Sequence, residues 1–314
     1  MKLSTLQVQR RPQTNPHPNP LPKKLGEGER FSMYPASFEY HAPGSLDEAI
    51  KLMAQNSDAK LLAGGHSLLP AMKLRLATPS AIIDLKKLRS SLQYVKEDGG
   101  HVAIGALTTH AAIAASKVAQ QKVPLIAETA SHIGDMQVRN LGTIGGALAH
   151  ADPAADFPAA ILASEAEMVI QGSSGKRTVK ADEFFQGFFA TAVQPGEILV
   201  EIRVPVQKGG SSYQKFAHPA SGYAVAAVAA LVEKNGNTIS KCRVAVNGVS
   251  GGAYRATEVE KALEGKAYSP EAVAQAAEHA VTGIDALEDP FANASYRSQL
   301  AKQLTQRAIA AAAA

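Results

Sequence analysis

The sequence predicts an α+β protein built in two units, and three observations predict it. Short apolar strands alternate with alanine-rich helical stretches, two glycine-rich turns lie about eighty residues apart, and a Gln207-Lys208-Gly209-Gly210-Ser211-Ser212 break divides the chain. With 314 residues, 46% of them hydrophobic, there is ample material for the core of one large or two modest domains.

Residues 1–32 come first and read as a disordered, Pro-rich extension around Asn15-Pro16-His17-Pro18-Asn19-Pro20-Leu21-Pro22. Periodic structure starts at Met33, opening a first unit over 33–208. Ser45-Leu46-Asp47-Glu48 has the capping-box spacing, and Leu46, Ile50 and Met53 then share a stripe, so a helix begins here. Lys60-Leu61-Leu62-Ala63 reads as a strand ending in the first glycine turn, and Ala81-Ile82-Ile83-Asp84-Leu85 as a second, buried strand. Tyr94-Val95 and His101–Gly105 form a hairpin through Asp98-Gly99-Gly100. Alanine-rich helices follow from about Ala111 to Ser131, then the second glycine turn and a loop entering a helix near Phe157. Glu197–Pro205 alternates and closes the unit. A second unit over 212–314 holds a hairpin of Ala224–Val232 and Cys242–Val246 across Asn235-Gly236-Asn237, and three helices. The last of these carries Leu300, Leu304 and Ala308 on one stripe.

Composition narrows the function. The net charge of +4 lies wholly in a surplus of four cations within residues 1–32, so the remainder is balanced and offers no basic footprint for nucleic acid. Aromatic residues make up 5% and Trp is absent, which leaves no stacking platform. No apolar run approaches the roughly 18 residues of a membrane span, and residues 1–30 contain no secretory apolar stretch. The expected location is therefore the cytoplasm. The single cysteine, Cys242, excludes an internal disulfide framework and cannot by itself hold an iron–sulfur cluster.

The chemistry sits in Ala63-Gly64-Gly65-His66-Ser67-Leu68-Leu69-Pro70 and Gly142-Thr143-Ile144-Gly145-Gly146-Ala147. Paired glycines after a chain turn let bare backbone N–H groups approach an anion, and two facing turns suit a pyrophosphate. Neither turn has P-loop spacing or Gly-x-Gly-x-x-Gly between strand and helix, so a nucleotide held by another scaffold is implied.

These stretches, together with Tyr34–Tyr40, Ile104-Gly105-Ala106-Leu107-Thr108-Thr109-His110, the run from Gly142 to Ala160 and the final Tyr296–Ala308, resemble the flavin-binding medium subunit of the molybdenum hydroxylases, the carbon monoxide and xanthine dehydrogenase family. The resemblance implies a vanillyl-alcohol-oxidase-like FAD domain of two α+β subdomains and a smaller C-terminal α+β domain with an antiparallel sheet. Non-covalent FAD would lie in the crevice between them. It places the amides of Ala63, Gly64, Gly65, His66 and Ser67 on the FAD pyrophosphate and counts Leu68 among the cofactor-binding residues. Thr109, Thr143, Ile144, Gly145, Gly146 and Ala147 would add to them, with Asp156 as the site acid, Leu199 lining the flavin and Tyr223 covering one ring face. It further implies an electron-transfer role in which no residue of this chain is an acid–base catalyst. Molybdenum cofactor would belong to a large subunit and [2Fe–2S] clusters to a small one, in a dimer of heterotrimers. Two departures stand out: relatives often carry Asn at Ala147, and the stretch His218–Tyr223 lacks the charged residues that some relatives place near the ring.

Plainer readings stand beside these. His66 and Ser67 are adjacent on a turn with no acid to orient the imidazole, which argues against a nucleophile and its base. His66 could also tether a flavin covalently. His150, Asp152 and Asp156 offer metal-type donors, yet a capped loop whose acids bond amides and cofactor explains them better. Cys242 reads as an inert core thiol and Tyr223 as packing; Asp135, Asp182, Arg75 and Arg139 read as caps or solvated charges. The alternatives to an electron-transfer subunit are a stand-alone FAD-dependent reductase or oxidase, and a non-catalytic nucleotide-binding module.

Overall fold

The computed structural model describes residues 34–314, and among them three larger sheets and one two-stranded sheet carry the architecture. The expectation for residues 1–32 falls outside the described residues. The first sheet is parallel, with β1 (Glu39–His41), β3 (Ala81–Asp84) and β2 (Lys60–Leu62) in that order. Helix α1 (Leu46–Gln55) connects β1 to β2, and α2 (Leu68–Lys73) connects β2 to β3, giving the strand, turn, helix, strand order that the sequence predicts. The Ser45 hydroxyl caps α1 by accepting from Glu48 N–H, but the Glu48 carboxylate returns to Gly44 N–H rather than to the cap residue.

A short 3₁₀ turn and α3 (Arg89–Leu92) lead into the hairpin β4 (Val95–Asp98) and β5 (His101–Gly105). Gly99 and Gly100 both have positive φ, as a tight two-residue turn demands. The alanine-rich stretch divides into α4 (His110–Ala115), α5 (Lys117–Lys122) and α6 (Pro124–His132), and α7 (Met136–Leu141), which the sequence did not announce, follows. Asp135 caps α7 by accepting from Val138 N–H. Then come α8 (Ile144–His150), α9 (Phe157–Ala163), the hairpin β6 (Glu167–Gly172) and β7 (Gly175–Lys180), α10 (Ala181–Phe184) and a small hairpin of β8 (Phe185–Gly187) and β9 (Ala190–Thr191). The next strand, β10 (Ile198–Pro205), ends the unit in sequence but lies at the middle of its sheet, in the order β4-β5-β10-β6-β7. It pairs antiparallel on both sides.

The remaining strands β11 (Gly210–Ala217), β12 (Ala224–Asn235), β13 (Thr238–Asn247) and β14 (Tyr254–Arg255) form an antiparallel wall. Helices α11 (Thr257–Leu263), α12 (Pro270–Ala277) and α13 (Ala294–Ala313) cover one face of it. Strand β12 is buried along nine consecutive residues because it is packed on both sides. Ala226, Val228, Ala230 and Val232 belong to the helix-side core, whereas Ala227 and Ala229 join the core of the first unit. Small side chains at these last positions let the two units approach closely. Strand β11, which begins within the stretch that reads as a break, carries Tyr213 into the same core.

Candidate cofactor-binding site

The first motif occupies the turn between β2 and α2. Gly65 has φ +78°, and a Cβ there would also come within 2.9 Å of the Leu69 side chain. The amides of Gly64, Gly65, His66, Ser67 and Leu68 donate to no protein acceptor among the described residues. Five unpaired donors on consecutive residues leave this turn free to receive an acceptor from outside the chain. Ser67 stands at the start of α2 without capping it, and its hydroxyl lies against the Tyr223 phenol from the second unit. Tyr223 is 44% exposed, and partial burial raises its phenol above the ordinary value.

The second motif differs from the expectation. It is the first part of helix α8, capped by the Thr143 hydroxyl. Its amides are engaged within the protein: Ile144 N–H donates to Thr108 O (3.0 Å), Gly145 N–H to Ala106 O (2.9 Å), Gly146 N–H to Thr143 Oγ1 (3.2 Å) and Ala147 N–H to Thr143 O (3.0 Å). A Cβ on Gly145 would lie 2.5 Å from the Ala106 Cβ, so that glycine serves packing of the helix on the first unit rather than access for an anion. Gly146 is exposed, and beyond its own cap the nearest atom to a Cβ there would be the Ala63 side chain at 3.8 Å.

The glycines instead bring the two motifs together. A Cβ on Gly64 would collide with the Leu141 carbonyl and come within 2.8 Å of Gly142 Cα. The backbone at Gly64 therefore touches the residues that introduce α8. Thr109 caps α4 through Ala112 N–H and forms a bridge with Thr143, while His110 N–H donates to Gly142 O at 3.0 Å. Three segments distant in sequence are locked side by side. Leu199, on β10, is buried in the core that packs under α8.

Asp156 is also placed differently from the expectation of a ligand-facing acid. It is buried, with Oδ1 accepting from the Tyr213 hydroxyl (2.5 Å) and both oxygens within 2.9 Å of Lys215 Nζ. Burial pushes its carboxyl above the ordinary value, and the opposing pull of Lys215 and then Tyr213 offsets only part of that rise. Asp152 accepts from Ala154 N–H, and His150 stacks on Phe189, so these three side chains do not converge. Among the described residues no group of three or more His, Cys, Asp or Glu could hold a metal ion.

Sequence reasoning passed over several neighbours. His110 is 4% exposed, packs on Phe157 and is pushed down to about 4 by burial, then by nearby His66 and Arg139. Arg139 turns its guanidinium to Ile133 O and Gly134 O. Tyr213 and Lys215 left a signal in the sequence: a lone cation between Tyr213 and Phe216 marks a strand with a buried charge. Cys242 is buried, and burial raises its thiol to about 12.

Comparison with known proteins decides the family. The FAD binding domain in molybdopterin dehydrogenase matches residues 36–207, and the CO dehydrogenase flavoprotein C-terminal domain matches residues 211–312. The chain belongs to this family. It is 45% identical to the carbon monoxide dehydrogenase medium chain of Hydrogenophaga pseudoflava, over 89% of this chain and 98% of that one. It is 40% identical to the glyceraldehyde dehydrogenase medium chain of Sulfolobus acidocaldarius, over 88% and 99%. A solved structure of carbon monoxide dehydrogenase from H. pseudoflava superposes with a TM-score of 0.86 over 88% of this chain and 98% of that one. Quinoline 2-oxidoreductase from Pseudomonas putida 86, 34% identical, superposes at 0.85 over 88% and 97%. The protein is thus an FAD-binding medium subunit, the flavoprotein component of an oxidoreductase of the molybdenum hydroxylase type.

Proposed function

We propose that the chain holds non-covalent FAD with its pyrophosphate on the amides of Gly64–Leu68, between the Ala63 side chain and the exposed face of Gly146. Thr143 and Thr109 fix the frame, and Tyr223 lies over the mouth. The observation that carries this reading is the contact of Gly64 with Leu141 and Gly142, which sets five free donors beside an uncovered helix face. Charge-assisted bonds from such amides are worth roughly 1.5–3 kcal/mol each, enough to hold a bis-phosphate without a cationic side chain. The flavin would supply the redox chemistry, accepting electrons and passing them on. This chain's residues bind, orient and shield it.

The single buried cysteine means that any cluster feeding the flavin belongs to another chain. We assign that role to a small [2Fe–2S] subunit and substrate oxidation to a large molybdopterin subunit, in a dimer of heterotrimers in the cytoplasm. The medium chains it resembles are named for partners that oxidise unlike molecules, carbon monoxide and glyceraldehyde among them, which supports a substrate set outside this subunit. FAD uptake by the purified chain tests the site. The wild-type chain is expected to bind FAD stoichiometrically and release it on denaturation, and Gly64→Val to retain less than about a tenth of it, because the added side chain separates the motifs. A colourless wild-type chain after incubation with FAD, or undiminished flavin in Gly64→Val, refutes the assignment.

A further inference from the structure

Tyr213 is among the largest fully buried side chains of the protein, 1% exposed, yet it is polar and lies where the two units meet. Its backbone N–H donates to the Glu128 carboxylate (3.0 Å), its ring meets His132 edge-on at 5.9 Å, and its hydroxyl is bonded to Asp156 Oδ1. Nearby, the Asn247 amide donates to Ala155 O at 2.8 Å. The Lys215 side chain is 4% exposed, and its Nζ is shared between Asp156 and His132 O. A tyrosine used only to fill space needs no such set of partners, and Phe would fill the same volume.

We propose that Tyr213 is a positioning residue of the cofactor crevice, donating its hydroxyl to Asp156 so that this carboxylate stays ionised against Lys215 and the pair adds no net charge beside the flavin. The inference rests on the FAD reading above. Removing the hydroxyl takes one of the bonds that stabilise the charged carboxylate in a buried place. Asp156 then takes up a proton from solvent, its oxygen becomes neutral, and the Lys215 ammonium is left uncompensated next to the crevice. The other groups facing Asp156 and its partners are His132 on α6, Tyr223 at the start of β12, Asp152 on the same loop, Arg139 on α7 through His132, and Glu128 behind Tyr213.

The test uses the full chain loaded with FAD and follows the flavin absorbance and midpoint potential against pH for wild type, Tyr213→Phe and Tyr213→Phe/Asp156→Asn. Tyr213→Phe is expected to show an added one-proton transition, displaced upward from the ordinary carboxylate range by burial. Wild type lacks it and the double variant loses it. Superimposable wild-type and Tyr213→Phe profiles overturn the inference, as does a transition that survives Asp156→Asn, which would assign it to His132. If Tyr213→Phe does not fold, Lys215→Met removes the other group that holds Asp156 ionised and must produce the same transition; a flat profile there also overturns it. A wild-type chain that takes up no FAD refutes the functional reading itself, and this inference with it.

Discussion

Glycine at three neighbouring places does three different jobs. Gly65 adopts a left-handed backbone, Gly64 admits the second motif's backbone, and Gly145 admits Ala106. Only the contacts distinguish them, since the sequence shows the same residue type in each. His110 illustrates a residue whose burial has a measurable consequence. Its imidazole is held down to about 4 in the fold against 6.5 when free, so the folded state keeps it neutral. Above pH 6.5 it costs nothing. As pH falls from 6.5 towards 4 the unfolded chain binds a proton that the folded chain refuses, and stability drops by about 3 kcal/mol. Denaturant titrations at pH 7 and pH 4.5 are expected to show a smaller loss for His110→Gln than for wild type.

At the scale of elements, α8 shows tertiary context overriding propensity. Two adjacent glycines weaken a helix by about 1 kcal/mol each. The Thr143 cap and the bonds from Ile144 and Gly145 to Thr108 and Ala106 hold it in place nonetheless. Helix α13 is anchored to its sheet by a buried cation. Arg297 donates to Val225 O and Gly248 O at 2.6 Å each and pairs with Asp289. Arg297→Ala leaves both carbonyls without a donor, so a loss of about 2–4 kcal/mol is expected in chemical denaturation. Arg297→Lys should recover only part of it, because one ammonium cannot reproduce the guanidinium fork.

Across the whole molecule, the loop between α8 and α9 is where the second unit grips the first. Pro153 O accepts from Gly248 N–H, Ala154 O from Ala224 N–H, and Ala155 O from Asn247, beside the Asp156 cluster. A second, more exposed link joins Glu165 to Lys241 and Arg243 of β13. Burial raises the Glu165 carboxyl, but bonds from Lys241 and Arg243 outweigh it and hold it below the ordinary 4.5. That stabilisation is complete above the unfolded value and is lost as pH falls through the lower folded one. Glu165→Gln is expected to lower the melting temperature at neutral pH and low salt, with the gap to wild type closing in high salt and as the pH falls through the lowered folded value, below 4.5. Scanning calorimetry over both variables checks this.

The sequence by itself determined the class of fold, the order of strand, glycine turn and helix around the first motif, the two hairpins, and the family. It could do so because turn chemistry, capping and apolar period act over a few residues. The FAD assignment followed from motif types and their order. Only the tertiary structure decided that β10 lies mid-sheet, that the second motif is a helix whose amides are already bonded, and that Asp156 turns inward to Tyr213 and Lys215. Those outcomes depend on which distant backbone or side chain satisfies each buried polar group, and no local pattern carries that information.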